Sequence, residues 1–232
     1  MRRTHDRIYF DKNTLVIKQS FADVASEISL MPCKSIADVG CAAGIFPWYL
    51  NKRFPEAEIT GIEFSDSLIR KAKRDFPRVK FIKGDVNDRS SVNLKYDVIT
   101  MLGVLSIFDN YKNVISNVIS WLNPNGRLIL HSMISDFDID VIIKYKESSL
   151  NYDPKMLESG WNIISEKSLS LAALDNNAKI ISSKPFSILM DLPKKDDVLR
   201  SWTELNSDGS LRITNALHIT QPQKIVTIQK NN

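Results

Sequence analysis

The chain has 232 residues, a formal net charge of +4, 43% apolar and 25% charged side chains, and two cysteines, Cys33 and Cys41. That composition suits a folded globular protein long enough to bury a sizeable core; cysteines outside any CxxC pair or His/Cys cluster argue against a disulfide scaffold or a zinc site. The first segment, MRRTHDRIYFDKN, is charged with no apolar stretch behind it, and no apolar run nears the roughly 20 residues of a membrane helix, so no signal peptide or membrane span is expected and a cytoplasmic location is.

Residues 14–30 carry Ile17, Phe21, Val24 and Ile28 at spacings of four, three and four, which predicts an amphipathic helix stopped by Pro32. Residues 35–40 read as a buried strand ending in glycine, and 43–53 as a helix with Pro47 in its first turn. Strand 58–64, helix 65–76 with Ser65 at its N-cap, and strand 79–85 follow. The densest basic cluster, Arg70, Lys71, Lys73 and Arg74 with Arg78, Lys80 and Lys83 behind it, is read as the solvated face of that helix and its exit loop. Strand 95–102, helix 110–122, the turn signal Asn123-Pro124-Asn125-Gly126 and strand 126–133 continue the alternation, and 136–147 is expected to be helical. Beyond residue 150 the segments 161–174, 179–192, 197–205, 210–219 and 224–230 read as strands, with a hairpin turn at 206–209. Strand–helix alternation predicts a mainly parallel sheet with helices on both faces, and two of the late strands are expected to complete it while the others form an antiparallel add-on.

The segment Asp38-Val39-Gly40-Cys41-Ala42-Ala43-Gly44 sits where a strand meets a helix. Glycines there let backbone approach a ligand closely, and the next helix offers free N–H groups. Glu63 ends the following strand, 23 residues after Gly40, where a carboxylate can accept both hydroxyls of a ribose. Asp85 ends the third strand, and the fourth runs into Leu102 and Gly103. A dinucleotide loop would hold glycines where Ala42 and Ile45 stand, and Asp38 is awkward beside a pyrophosphate but suits a cationic ligand.

These motifs resemble the class I S-adenosylmethionine (SAM)-dependent methyltransferases over roughly residues 33–134. The resemblance rests on the loop after Asp38, on Glu63-Phe64, on Gly84-Asp85-Val86, on Tyr96-Asp97-Val98-Ile99 and on 122–128. It implies an α/β, Rossmann-like, seven-stranded mainly parallel sheet with helices on both faces, a last antiparallel strand at 224–230 and an antiparallel C-terminal decoration. It implies SAM as cofactor, held by Asp38, Gly40, Cys41, Ala42, Gly44, Glu63, Phe64, Ser65, Asp85, Val86, Leu102 and Gly103. Three regions are expected: an N-terminal lid over 1–34, a SAM-binding core over 35–150, and C-terminal strands over 151–232 that complete the sheet and build the acceptor side.

Methyl transfer from a sulfonium needs alignment, and an alcohol acceptor also needs a base. His131, near the end of the fifth strand, and Asp109, after the fourth, are the candidates, against a structural histidine and a helix cap. His5 and His218 are weaker ones. Asp136, Asp138 and Asp140 are read as acids at a helix start rather than a metal site. The expected acceptor is a small polar metabolite or sugar/glycan precursor, methylated on oxygen; Trp202 would suit a sugar or merely anchor the hairpin. An RNA methyltransferase and a non-catalytic SAM-binding partner protein are the alternatives, and neither nucleic acid nor membrane is an expected partner.

Overall fold

A computed structural model describes residues 9–10, 16–194, 196–197 and 199–232. Strands β1 (Ser35–Val39) and β4 (Tyr96–Leu102) lie at its centre, because Ile36, Ala37, Val39, Val98, Ile99 and Met101 leave them apolar on both faces. β1 pairs in parallel with β2 (Glu58–Glu63) on one side and with β4 on the other. β3 (Lys80–Lys83) adds to β2, and β5 (Leu122–Ser135) adds to β4, both in parallel.

The helices cover both faces. α1 (Gln19–Ile28), α2 (Ile45–Arg53) and α3 (Asp66–Asp75) pack Val24, Ile28, Leu50 and Ala72 against Ile36 and Ile129. α4 (Tyr111–Ser120) and α5 (Glu166–Leu174) pack Val114, Val118, Leu169 and Ala173 against Leu128 and Leu130 on the other face. Neighbouring residues of β5 thus serve opposite cores, as the two-residue period of a strand requires.

The C-terminal half completes the sheet. β12 (Gln223–Lys230) runs antiparallel between β5 and β9 (Ala178–Pro185), giving the order β3-β2-β1-β4-β5-β12-β9. The expected last strand at 224–230 is therefore in place. β10 (Trp202–Leu205) and β11 (Leu211–Thr214) form the antiparallel add-on, turning at Gly209 with φ +81°. Among the described residues no helix is long and apolar enough to cross a membrane.

Three expectations are corrected. The stretch 161–174 is a strand only at β8 (Ile164–Ser165), then becomes α5, whose Ser165 cap accepts the Ser168 N–H at 3.1 Å. A crossover helix is needed because β9 runs parallel to β5. The segment 136–147 is not helical: it bridges Val141 to Ile163 and ends in β6 (Lys144–Tyr145), which pairs with β7 (Glu158–Ser159). Its acids have other partners. Asp136 pairs with Lys224, Asp138 with Lys167 at 2.6 Å, and Asp140 accepts from the Tyr111 hydroxyl and the Ser165 N–H. The turn signal at 123–126 lies inside β5 as an irregularity, with Asn125 at φ +61°.

One buried amide fastens the 136–165 insert to the connection between β4 and α4. The Asn162 side chain donates to the carbonyl oxygen of Phe108 (3.2 Å) and the carboxylate of Asp109 (3.3 Å), and accepts the Ile143 N–H (2.9 Å). Its own N–H reaches Ser106 O at 2.9 Å. Asn162→Ala leaves buried backbone groups without partners, so urea denaturation should register a loss of about 2–3 kcal/mol.

Candidate cofactor and acceptor site

The strand order reverses between β1 and β4, and the site opens at their C-terminal ends. Asp38, near the end of β1, is buried and accepts the Thr100 hydroxyl from β4 at 2.9 Å. Burial pushes its carboxyl up to about 8; the Thr100 bond and Lys18 oppose the rise, and Glu63 adds to it. Among these neighbours Asp38 holds its proton near neutrality, and a cation placed beside it would release that proton.

The loop after β1 is drawn across the end of β2. The N–H groups of Gly40 and Cys41 both reach Ile62 O, at 2.8 and 3.1 Å. Gly40 has φ +74°, and a Cβ there would lie 2.4 Å from Val104 Cγ2, so only glycine lets the loops after β1 and β4 come this close. Ala42 is left-handed too, at φ +48°. Gly44, at φ +86°, caps α2, and a Cβ on it would strike Phe81 and Ala72; it serves packing and does not line the site.

Glu63 is anchored by backbone. Its carboxylate accepts the N–H groups of Ala42 (3.0 Å), Phe64 (2.8 Å) and Ser65 (2.9 Å). That occupies three of about four lone-pair sites, so a ribose diol arriving at Glu63 must exchange with at least one of these bonds. Phe64 is 44% exposed beside it, and with Leu68 and Val86 offers a flat apolar wall. Asp85 turns to its own loop, accepting the N–H of Asn87 at 3.0 Å, and does not line the cavity. The Cys41 thiol is pushed well up by burial, and then by the negative charge of Asp38 and Glu63.

Two adjoining cavities, of about 570 and 660 Å³, meet over this loop. Both are lined by Tyr9, Lys18, Phe21, Gly40, Ala42 and Leu102. Glu63, Phe64, Ser65, Val86 and Gly103 line only the larger, which also holds His131. Burial and then Lys18 lower the His131 imidazole to about 4, so it is neutral at pH 7 and a weak base. Its ring stands edge-on to Phe186 at 4.5 Å, and its buried Nε2 has no partner among the described residues.

The other base candidates lie elsewhere. Asp109 faces the insert: burial acts to raise its carboxyl, but hydrogen bonds from Lys144, Ser159 and Asn162 hold it below the usual range. It lines neither cavity, and Asn110 caps α4 in its place. His218 sits in a turn after β11, and His5 lies outside the described residues. Trp202 is buried in the hairpin beneath the Lys194 ammonium and does not line the site. Among the described residues no group of three or more potential ligands could hold a metal.

Sequence reasoning missed Lys18, Trp161 and Arg200. Lys18 faces the cavity, so it keeps solvent contact while protein surrounds it. Burial and then Arg200 lower its pKa, against the attraction of Asp38. Trp161 lines the cavity in a left-handed conformation (φ +57°), which a bulky side chain rarely adopts. Nothing in local spacing marks any of the three.

The loop geometry sets opposite signs for two substitutions. Gly40→Ala meets both Val104 and a left-handed backbone and should cost roughly 2–4 kcal/mol in urea denaturation. Ala42→Gly relieves strain and should be neutral or gain up to about 1 kcal/mol.

Residues 37–128 match a family model described as a methyltransferase domain. A malonyl-[acyl-carrier protein] O-methyltransferase of Halalkalibacterium halodurans is 31% identical over 109 residues, 44% of this chain and 40% of that protein. A trans-aconitate 2-methyltransferase of Escherichia coli K12 is 28% identical over 106 residues, 46% of this chain and 42% of that protein. The chain thus spans about half the length, or less, of such curated relatives. In fold it is similar to a SAM-dependent methyltransferase from Clostridium acetobutylicum, with TM-score 0.59, 12% identity, and 97% and 95% of the two chains covered. It is also similar to a SAM-bound amino pentose methyltransferase from Micromonospora echinaspora, with TM-score 0.58, 13% identity, and 99% and 97% covered. The loop turned by Gly40 over a buried acid and the acid at Glu63 both fall within the residues that match the methyltransferase domain, and in that domain and in fold the chain is similar to the class I SAM-dependent methyltransferases.

Proposed function

We propose that the chain transfers the methyl group of SAM to an oxygen of a small metabolite, with 35–150 holding SAM, 151–232 walling the acceptor and 1–34, of which 1–8 and 11–15 lie outside the described residues, as a lid. The carrying observation is the wall the two cavities share: Gly40, Ala42 and Leu102 line both the cleft over Asp38 and the space that reaches Trp161, Phe186, Arg200 and Gln221. SAM supplies an electrophilic methyl on a sulfonium. Asp38 would face its cationic amino group, Glu63 its ribose and Phe64 its adenine. A polar metabolite, a sugar precursor included, fits a chamber of this size.

The alternatives have less support. Within the basic run of α3 and its exit, Lys71 and Arg74 bond Asp75, and Lys83 bonds Asp66, so part of its charge is neutralised locally. That is a poor footing for an RNA backbone. A non-catalytic binder would be expected to lack acceptor space, whereas the larger cavity extends beyond Glu63 and Phe64 to Trp161, Phe186, Arg200 and Gln221.

The test is transfer of labelled methyl from SAM into fractionated cell extract. Label in the small-molecule fraction supports the reading; label confined to RNA overturns it. Glu63→Ala should weaken SAM at least about tenfold in calorimetry, since hydroxyl acceptors are lost. Asp38 adds a pH signature. A cation favours its ionised form, so SAM affinity should rise between about pH 6 and about pH 8, approaching tenfold per unit, with proton release on binding. A flat profile over that range would mean that Asp38 does not change its protonation when SAM binds, which overturns the proton-release reading.

A further inference from the structure

The central strand β4 carries a buried aliphatic hydroxyl. Thr100, between Ile99 and Met101, has no exposed surface, and the strand register sets it beside Asp38 of β1. Its Oγ1 lies 2.9 Å from Asp38 Oδ1 and 3.3 Å from Ala37 O. A buried hydroxyl without a bond is costly, so its single proton goes to one of these two oxygens.

Asp38 is fixed on one side only. Thr100 holds Oδ1, no bond among the described residues engages Oδ2, and the residue lines the smaller cavity. The titratable groups around it pull in opposite directions. Glu63 at the end of β2 opposes its ionisation, Lys18 before α1 favours it, and the Cys41 thiol beside it is neutral. Among the described residues Thr100 is the one group that bonds the carboxyl directly.

One rotatable hydroxyl within reach of two oxygens has two arrangements. With Asp38 neutral, the acid proton on Oδ1 is donated to Thr100 Oγ1, and the Thr100 proton to Ala37 O. With Asp38 ionised, the hydroxyl turns and donates to Oδ1. A hydroxyl both donates and accepts, so neither arrangement leaves it unpaired. The bond to the ionised acid is charge-assisted and the stronger of the two, so Thr100 favours ionisation.

We propose that Thr100 is a positioning residue of the cofactor site: its hydroxyl turns between Ala37 O and Asp38 Oδ1, so that Asp38 exchanges its proton for the cofactor's cationic amino group without either buried side chain losing its hydrogen bond. The proposal rests on the methyl-transfer reading. The acid proton leaves to solvent as the ammonium arrives at Oδ2; no covalent bond to carbon changes, and Thr100 keeps its own proton throughout.

The test is calorimetry of S-adenosylhomocysteine, which carries the same amino group, on the full chain and on Thr100→Val, which keeps the shape and lacks the hydroxyl. Titrations at about pH 8.5 in two buffers of different ionisation enthalpy give the protons released on binding. With the Asp38 carboxyl at about 8, the unmodified chain should release about a quarter of a proton there. Loss of the charge-assisted bond keeps the acid protonated to about one pH unit higher. Thr100→Val should therefore release about three quarters of a proton, and bind about tenfold more weakly at about pH 7. Thr100→Ala should match Thr100→Val, and Thr100→Ser, which restores the hydroxyl, should match the unmodified chain. Weaker binding with unchanged proton release would mean that Thr100 only packs against Asp38, and overturns the proposal. So does unaltered binding in Thr100→Val, a serine variant that behaves like the valine one, or no proton release from the unmodified chain. Failure of S-adenosylhomocysteine to bind the unmodified chain at all is a different outcome: it strikes the methyl-transfer reading, and the proposal with it.

Discussion

The site depends on a steric constraint at Gly40. Its α-carbon lies so close to Val104 that a single added carbon would overlap it. Because the loops after β1 and β4 meet there, the backbone N–H groups of the first loop reach Ile62 O, and Ala42 comes within hydrogen-bonding distance of Glu63. The ends of β1, β2 and β4 are thereby locked together by backbone, and the side chains that face the cleft are set by that lock rather than by loop flexibility.

Burial then sets the electrostatics. The same close packing that shapes the cleft withdraws water from Asp38, so the acid is raised to about 8. Burial acts in the opposite sense on the His131 imidazole, lowering it to about 4. The site is thus built from groups whose charged forms are costly until a ligand of opposite sign arrives. For a cofactor that brings both a cationic and an anionic end, this couples binding to proton movement.

The end of the larger cavity away from Glu63 is assembled from distant chain segments. The insert between β5 and α5 is held by Asn162 to the connection between β4 and α4, where Asp109 pairs with Lys144 of the insert. This network positions Trp161 against the cavity in a strained backbone, a cost found where surrounding contacts over-determine a residue. Opposite it, the segment after β9 lends an apolar edge, and β10, β11 and the turn to β12 bring Arg200, Ile213 and Gln221.

Local chemistry made much of this chain legible without a structure. The periodicity of the first 135 residues marks β1 to β5 and their helices, because a sheet buried on both faces must read as short apolar runs. The loop from Asp38 to Gly44 is legible for a similar reason: a tight turn and a close approach of backbone each demand a residue type at a fixed place along one βαβ unit. Beyond β5 local signals fail. α5 reads as a strand because its inward residues, Leu169, Ala172 and Ala173, follow directly on an extended Ile163–Ile164. The Asp136–Asp140 acids read as a helix start because their partners, Lys224, Lys167, Tyr111 and Ser165, are 25 to 88 residues away. Lys18 and Arg200 are ordinary surface residues in the linear sequence, 182 positions apart. Only the folded sheet, by setting α1 and the β9–β10 connection over the same strand ends, turns them into a pair of cations facing one cavity.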